Sequence, residues 1–200
     1  MLKIGITGGI GSGKTTVSTL FEAFGIPVYY ADNEAKRLMN TNGEIIRAII
    51  DLLGTESYVD GNLNRKHIAD KIFTNPEIRT ALNNIVHPFT IADSERWMME
   101  QTTPYVLKEA ALIFESGADK HLDFVIGVNC PEDIRIERIM KRDHLDKNAA
   151  LARIKGQMDE KEKMNKCHFI INNNEENFLT TQVLELHHVL LEKAKAINIS

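Results

Sequence analysis

From residue 2 onward, short apolar runs alternate with longer stretches whose apolar positions recur every three or four residues. Leu2-Lys3-Ile4-Gly5-Ile6-Thr7 is short, apolar and β-prone, and it stops at a glycine cluster, which is how a buried strand reads. Val17, Leu20, Phe21 and Phe24 then repeat at helical spacing from Lys14 onward. Gly25 ends that helix as a C′ glycine does, and Ile26-Pro27-Val28-Tyr29-Tyr30 reads as a second strand. Strand, loop, helix, strand is a βαβ unit, and it implies a parallel sheet with helices on its faces. Tyr105 to Ala110, Phe124 to Val128 and His168 to Ile171 supply three further strands. The last two are expected to be central or near-central, because they are apolar without alternation. Leu179, Val183, Leu186, Leu190 and Ala194 place a C-terminal helix from Asn177 to about Ala196, covering one face of the sheet.

Two stretches stand outside this alternation. Residues 35 to 97 show helical patterns such as Ile45, Ile46, Ile49, Ile50 and Leu53 but no clear strand, and they read as a helical insertion. Residues 134 to 166 are helical and densely charged, with a break expected at Asp143-His144-Leu145-Asp146. A helical hairpin of that kind suits a mobile cover that keeps water from a transferring group.

Composition narrows the classes only slightly. The chain has 200 residues, 43% hydrophobic and 26% charged, enough for one core with insertions. A net charge of −4 lacks the basic excess that nucleic-acid backbones attract, so no nucleic-acid partner is expected. Cys130 and Cys167 lie far apart with no metal-ligand spacing around them, which fits reduced thiols in a cytoplasmic protein. No apolar run approaches the ~20 residues that span a bilayer, and no membrane partner is expected. We expect a monomer or a weak homo-oligomer.

The glycine cluster changes the picture. Gly8-Gly9-Ile10-Gly11-Ser12-Gly13-Lys14-Thr15 matches the phosphate-loop pattern GxxxxGK[ST] at every fixed position, between a strand and a helix as that motif requires. Glycines let successive N–H groups point into one concavity at a helix N-terminus, where unpaired donors and the helix dipole favour an anion. Lys14 brings a charge to the β and γ phosphates, the Thr15 hydroxyl is suited to Mg²⁺, and Thr16 extends the site by one position. Gly9, Ile10, Gly11, Ser12, Gly13, Lys14, Thr15 and Thr16 are the nucleotide-binding candidates, with ATP as donor.

Three classes share such a loop. A GTPase needs Asn-Lys-x-Asp after a strand, and the nearest string here is Asn165-Lys166-Cys167-His168, which precedes one. A motor-type ATPase shows four apolar residues ending in an acid. The strand at Phe124 runs into Asn129-Cys130, and the strand at Tyr105 carries Lys108-Glu109 in its middle. A small-molecule kinase is left, with an α/β P-loop core of five parallel strands (1–32, 98–133, 167–200), an acceptor-binding insertion (33–97) and a lid (134–166).

Asp32 lies just past the second strand, where a carboxylate either engages an acceptor hydroxyl or caps a helix beginning near Asn33. Arg135, Arg138 and Arg142 are the lid candidates, and Arg138 and Arg142 share a helical face, as phosphate clamps or as partners of Glu137 and Asp143. Arg153 and Gln157 follow on the next helix. Arg65 either binds an anionic acceptor or pairs with Asp60, His87 before Pro88 is either a site residue or a satisfied histidine at a helix break, and Glu115 either reaches the site or starts a helix.

Together these residues resemble the dephospho-CoA kinase family. The resemblance runs nearly end to end, through the loop from Ile6 to Thr15, Ala31-Asp32, Leu63-Asn64-Arg65 with Ile72-Phe73, His87-Pro88, Leu112-Ile113-Phe114-Glu115, and Arg138 through Lys141-Arg142-Asp143 to Arg153 and Gln157. It implies ATP-dependent phosphorylation of the ribose 3′-hydroxyl of dephospho-CoA, with Asp32, Lys14 and Arg142 catalytic and Arg65, His87, Glu115, Arg153 and Gln157 on the acceptor. Tyr30 and Ala111 depart from the family's Asp-Ala-Asp and Pro-Leu-Leu patterns.

Overall fold

The computed structural model describes residues 1 to 199; Ser200 and the side chains of Phe73, Thr74, Ile197, Asn198 and Ile199 lie outside the described residues. In chain order the elements are β1 (Leu2–Thr7), α1 (Lys14–Ala23), β2 (Val28–Tyr30), α2 (Ala31–Thr41), α3 (Gly43–Leu53), β3 (Tyr58–Val59), β4 (Asn62–Leu63), α4 (Arg65–Thr74) and α5 (Pro76–Met99). There follow β5 (Tyr105–Glu109), β6 (Phe124–Asn129), α6 (Glu132–Asp143), α7 (Lys147–Lys155), α8 (Glu160–Asn165), β7 (Phe169–Asn172) and α9 (Leu179–Ile199). The chain forms two compact units, Met1–Tyr30 with Met98–Ser200, and Ala31–Trp97.

The first unit is built on a five-stranded parallel sheet in the order β2-β5-β1-β6-β7. β1 sits at the centre, with Ile6 paired to Glu109 on one side and Ile126 on the other. The alternate residues Leu2, Ile4 and Ile6 are fully buried and meet Val17 and Phe21 of α1 and Val183, Leu186, Leu190 and Ala194 of α9. The sequence stripe of α9 is thus largely its buried stripe. That of α1 buries Val17 and Phe21, half-buries Leu20 and leaves Phe24, just past the helix, exposed. The opposite face is covered by the segment after β5, where Ile113 is fully buried, and by α8 against β6. Chain connections change sides around β1, so the carboxyl ends of β1, β5 and β6 open the crevice where such sheets bind ligands.

The second unit has its own core of Leu38, Ile45, Ile49, Leu53, Ile68, Leu82 and Val86. Asn42 and Asn64 cap α3 and α4 by accepting from amides of the first turn. Asp93, buried, accepts from Arg37 at 2.7 Å and Arg96 at 2.5 Å.

Four expectations need correction. β7 is an edge strand, not a central one. Its apolar run reports neither flanking strands nor two covered faces: Ile171 is buried beside α9, while Ile170 is 42% exposed. The insertion does contain strands, β3 and β4, antiparallel and two residues each, too short to show alternation. α5 runs unbroken through His87-Pro88, and the Thr90 hydroxyl donates to the Val86 carbonyl just there at 3.0 Å. The charged segment forms three helices, because Asp159 caps α8 by accepting from Glu162 N–H at 3.0 Å and so starts a new helix.

Leu190→Ala removes a fully buried side chain from the α9 stripe. It should lower stability by about 2–5 kcal/mol, read in urea as a lower midpoint with an unchanged slope.

Candidate active site

β1 ends at Thr7, and the chain then wraps from Gly8 to Gly13 before α1 begins at Lys14. Gly13 holds the cap position with φ +90°, a conformation that a residue with a Cβ adopts only under strain. A Cβ there would also lie 2.2 Å from Asn173 Nδ2. Asn173, buried just past β7, donates to the Ser12 carbonyl at 2.8 Å. The first-turn amides of α1 have no intrahelical acceptor, so the loop and helix together present a shell of donors. The Lys14 ammonium lies back over the loop, donating to the carbonyls of Gly8 at 3.1 Å and Gly9 at 3.3 Å. A triphosphate would offer it stronger, charged acceptors. Thr15 and Thr16 are both exposed on the first turn of α1.

Sequence reasoning passed over Glu109. It is the last residue of β5, not a mid-strand one, and its Oε2 accepts from the Thr15 hydroxyl at 3.2 Å. Its side chain lies on the α1 side of the sheet, in register with Ile6. A signal was available: a charged pair, Lys108-Glu109, at the end of an apolar run belongs at a strand terminus. A hydroxyl on the first turn of α1 and a carboxylate at the end of β5 are oxygen donors that fit Mg²⁺ shared with substrate phosphates. Among the described residues no three His, Cys, Asp or Glu side chains cluster to hold a metal by themselves. Mg²⁺ held through phosphates needs no such cage.

The lid candidates are divided. Arg138 reaches the loop: one guanidinium nitrogen is 3.5 Å from the Gly11 carbonyl, and the other donates to Asn173 at 3.4 Å and Glu175 at 3.1 Å. Arg142 and Arg153 instead converge on Asp143, Arg142 through two bonds of 2.8 and 2.9 Å. Arg142 beside it holds the Asp143 carboxyl below the usual carboxylate range, with Arg153 adding to the effect. Gln157 accepts from the Ile10 amide at 2.7 Å, and Glu160 accepts from the Gly9 amide at 3.4 Å. Glu115 forms an ion pair at 3.0 Å with Lys163, which is fully buried, and accepts from the Met158 amide at 3.2 Å. The lower part of the lid is thus joined to the loop and to the segment after β5.

Three candidates belong to the second unit. Asp32 is exposed on the first turn of α2, past the cap position, two residues beyond Tyr30, which pairs with Glu109 in the sheet. Arg65 is exposed at the start of α4, and His87 is half-buried within α5. Tyr30, where the family pattern has an acid, donates its hydroxyl to Glu22 at 2.9 Å, and burial and that carboxylate push its pKa up to about 12.

A parallel sheet whose central strand runs through a glycine loop into a helix, with a buried acid beside the loop's threonine, defines a P-loop kinase. The dephospho-CoA kinase family profile matches residues 2–178. A dephospho-CoA kinase from Bacteroides fragilis is 36% identical over 193 residues, covering 96% of this chain and 94% of the relative. A solved structure from Thermus thermophilus superposes with a TM-score of 0.80 at 33% identity, covering 96% of this chain and 97% of that one. Dephospho-CoA kinase from Campylobacter jejuni superposes with a TM-score of 0.70 at 27% identity, covering 96% and 98%. The chain belongs to the dephospho-CoA kinase family.

Gly13→Ala should weaken Mg·ATP binding by about tenfold or more, since strained backbone of this kind costs ~1–3 kcal/mol and displaces Asn173 as well. Calorimetric titration measures it.

Proposed function

We propose that this chain transfers the γ-phosphoryl group of ATP to the ribose 3′-hydroxyl of dephospho-CoA, giving coenzyme A and ADP, the last step of coenzyme A biosynthesis. The observation that carries the reading is the phosphate loop with Thr15 on Glu109, in a chain matched by the family profile from residue 2 to 178. In this reading the loop from Gly9 to Thr16 holds the β and γ phosphates, with the Gly9 and Ile10 amides kept by Glu160 and Gln157 and the amides that follow turned to the phosphates. Lys14 leaves the Gly8 and Gly9 carbonyls for phosphate oxygens, and Arg138 and Arg142 come to the terminal phosphate from the lid. Mg²⁺, when bound, supplies charge neutralisation on the transferring group, and Thr15 and Glu109 are the residues suited to hold it.

Asp32 receives the proton of the attacking 3′-hydroxyl, as a new O–P bond forms and the bond to the β-phosphate breaks. We assign residues 33–97, with Arg65 and His87, to the acceptor, together with Glu115, Arg153 and Gln157. Residues 134–166 form the cover that excludes water. Two cysteines left as thiols support a cytoplasmic setting. Among the described residues no helix is long and apolar enough to cross a membrane.

ADP release should appear with dephospho-CoA and stay at background with nucleosides and nucleoside monophosphates. Turnover of a nucleoside with none of dephospho-CoA would overturn the assignment. Asp32→Asn should reduce kcat by roughly 10²–10⁴ with Mg·ATP affinity unchanged, the range that general-base removal brings. An unchanged kcat would take Asp32 out of the mechanism. Glu109→Gln should raise the Mg²⁺ concentration needed for half-maximal rate, as a magnesium titration at fixed ATP would read.

A further inference from the structure

Against the phosphate loop, bonded to the Gly9 amide, sits a buried ion pair that the proposed reaction does not use. Arg135 of α6 is 4% exposed and donates to Glu160 of α8 at 2.6 Å, while Glu160 accepts from Gly9 N–H through its other oxygen. The pair lies directly on the loop. A Cβ at Gly9 would fall 1.8 Å from an Arg135 guanidinium nitrogen and 2.4 Å from a Glu160 oxygen, so a larger residue there would push the ends of both side chains off the loop. The next residue is held from both ends: the Ile10 amide donates to Gln157, and its side chain packs on the small apolar cluster of Ile136, Ile139 and Ala150 between α6 and α7.

Stability alone does not account for this arrangement. A buried ion pair is often no better than an apolar pair of similar volume, because removing two charges from water costs several kcal/mol per ion. Here the arrangement is less than fully satisfied, since Arg135 Nε is buried with no acceptor among the described residues. Such a pair does supply direction. It fixes where Gly9 lies, and through it the first donors of the phosphate shell.

We propose that Arg135 and Glu160 are positioning residues for the nucleotide, forming on Gly9 a brace that sets the loop's outer face and keeps α8 docked on it. The proposal rests on the nucleotide reading of the loop but not on the identity of the acceptor. Neither residue touches the phosphates; both act through the backbone of Gly9. Losing the brace therefore weakens the grip on nucleotide while leaving acceptor recognition in place.

The test compares Glu160→Ala and Glu160→Gln with the wild type by calorimetric titration of Mg·ATP without acceptor, alongside the KM for dephospho-CoA. Glu160→Ala should raise the Mg·ATP Kd by about tenfold or more, the scale of a lost charge-assisted hydrogen bond. Glu160→Gln, which keeps the shape and an accepting oxygen, should recover part of that loss. The KM for dephospho-CoA should stay within about twofold. A Kd within about twofold of wild type in folded Glu160→Ala would overturn the proposal. So would parallel changes in nucleotide and acceptor constants, which a merely structural role predicts. If Glu160→Ala does not fold, Glu160→Gln decides alone: a raised Kd with an unmoved acceptor KM supports the brace, and an unmoved Kd overturns it. Wild-type protein that binds no Mg·ATP overturns both readings, whereas tight binding without turnover of dephospho-CoA overturns only the proposed function.

Discussion

The structure depends on a glycine loop running into a helix N-terminus. The amides of Gly9, Ile10 and Ser12 have acceptors in Glu160, Gln157 and the Gly9 carbonyl, and the first-turn amides of α1 have no intrahelical one. Unpaired donors are costly when buried and favourable only when an anion meets them. Holding Gly8 to Thr15 in that arrangement needs rigid support on every other side. β1 anchors the loop from below, with Ile6 buried between β5 and β6. α1 carries it on through Val17 and Phe21, both fully buried. Asn173 ties the Ser12 carbonyl to the end of β7, and the Arg135–Glu160 pair closes the outer side. The glycines thus serve two surfaces: one lets amides approach phosphates, and the other lets neighbouring side chains approach the loop.

That constraint also orders the chemistry around the loop. Glu109 terminates β5 in register with Ile6 of β1, so its carboxylate and the Thr15 hydroxyl come together through strand pairing. Lys14 and Arg138 are both on loop carbonyls, and both can turn to phosphate oxygens without rearrangement of the sheet. The segment from α6 to α8 is uneven in its attachments. It is joined to the loop through Gln157 and Glu160, while Arg142 and Arg153 converge on Asp143 in contacts that are exposed and charged.

Much of this was legible in the residues. Periodicity placed all five sheet strands and the stripes of α1 and α9, because each of those elements buries one well-defined face. The loop was legible because its function demands a fixed spacing. Edge and centre were not separable: β7 and β6 are both apolar, and the pattern does not record neighbouring strands. β3 and β4 are too short for any period to appear. Glu109, Asn173 and the Arg135–Glu160 pair were hidden for a different reason. Each acts through a partner 94 to 161 residues away or through a helix-to-helix contact that spacing does not encode. Only the fold brings them to the loop.

The central claim is that backbone amides of this loop are where the triphosphate is held. Titrating ¹⁵N-labelled protein with Mg·ATP tests it most directly. The account predicts that the amides from Gly9 to Thr16 shift together along a single saturating curve. Saturable binding that leaves those amides unmoved would contradict it.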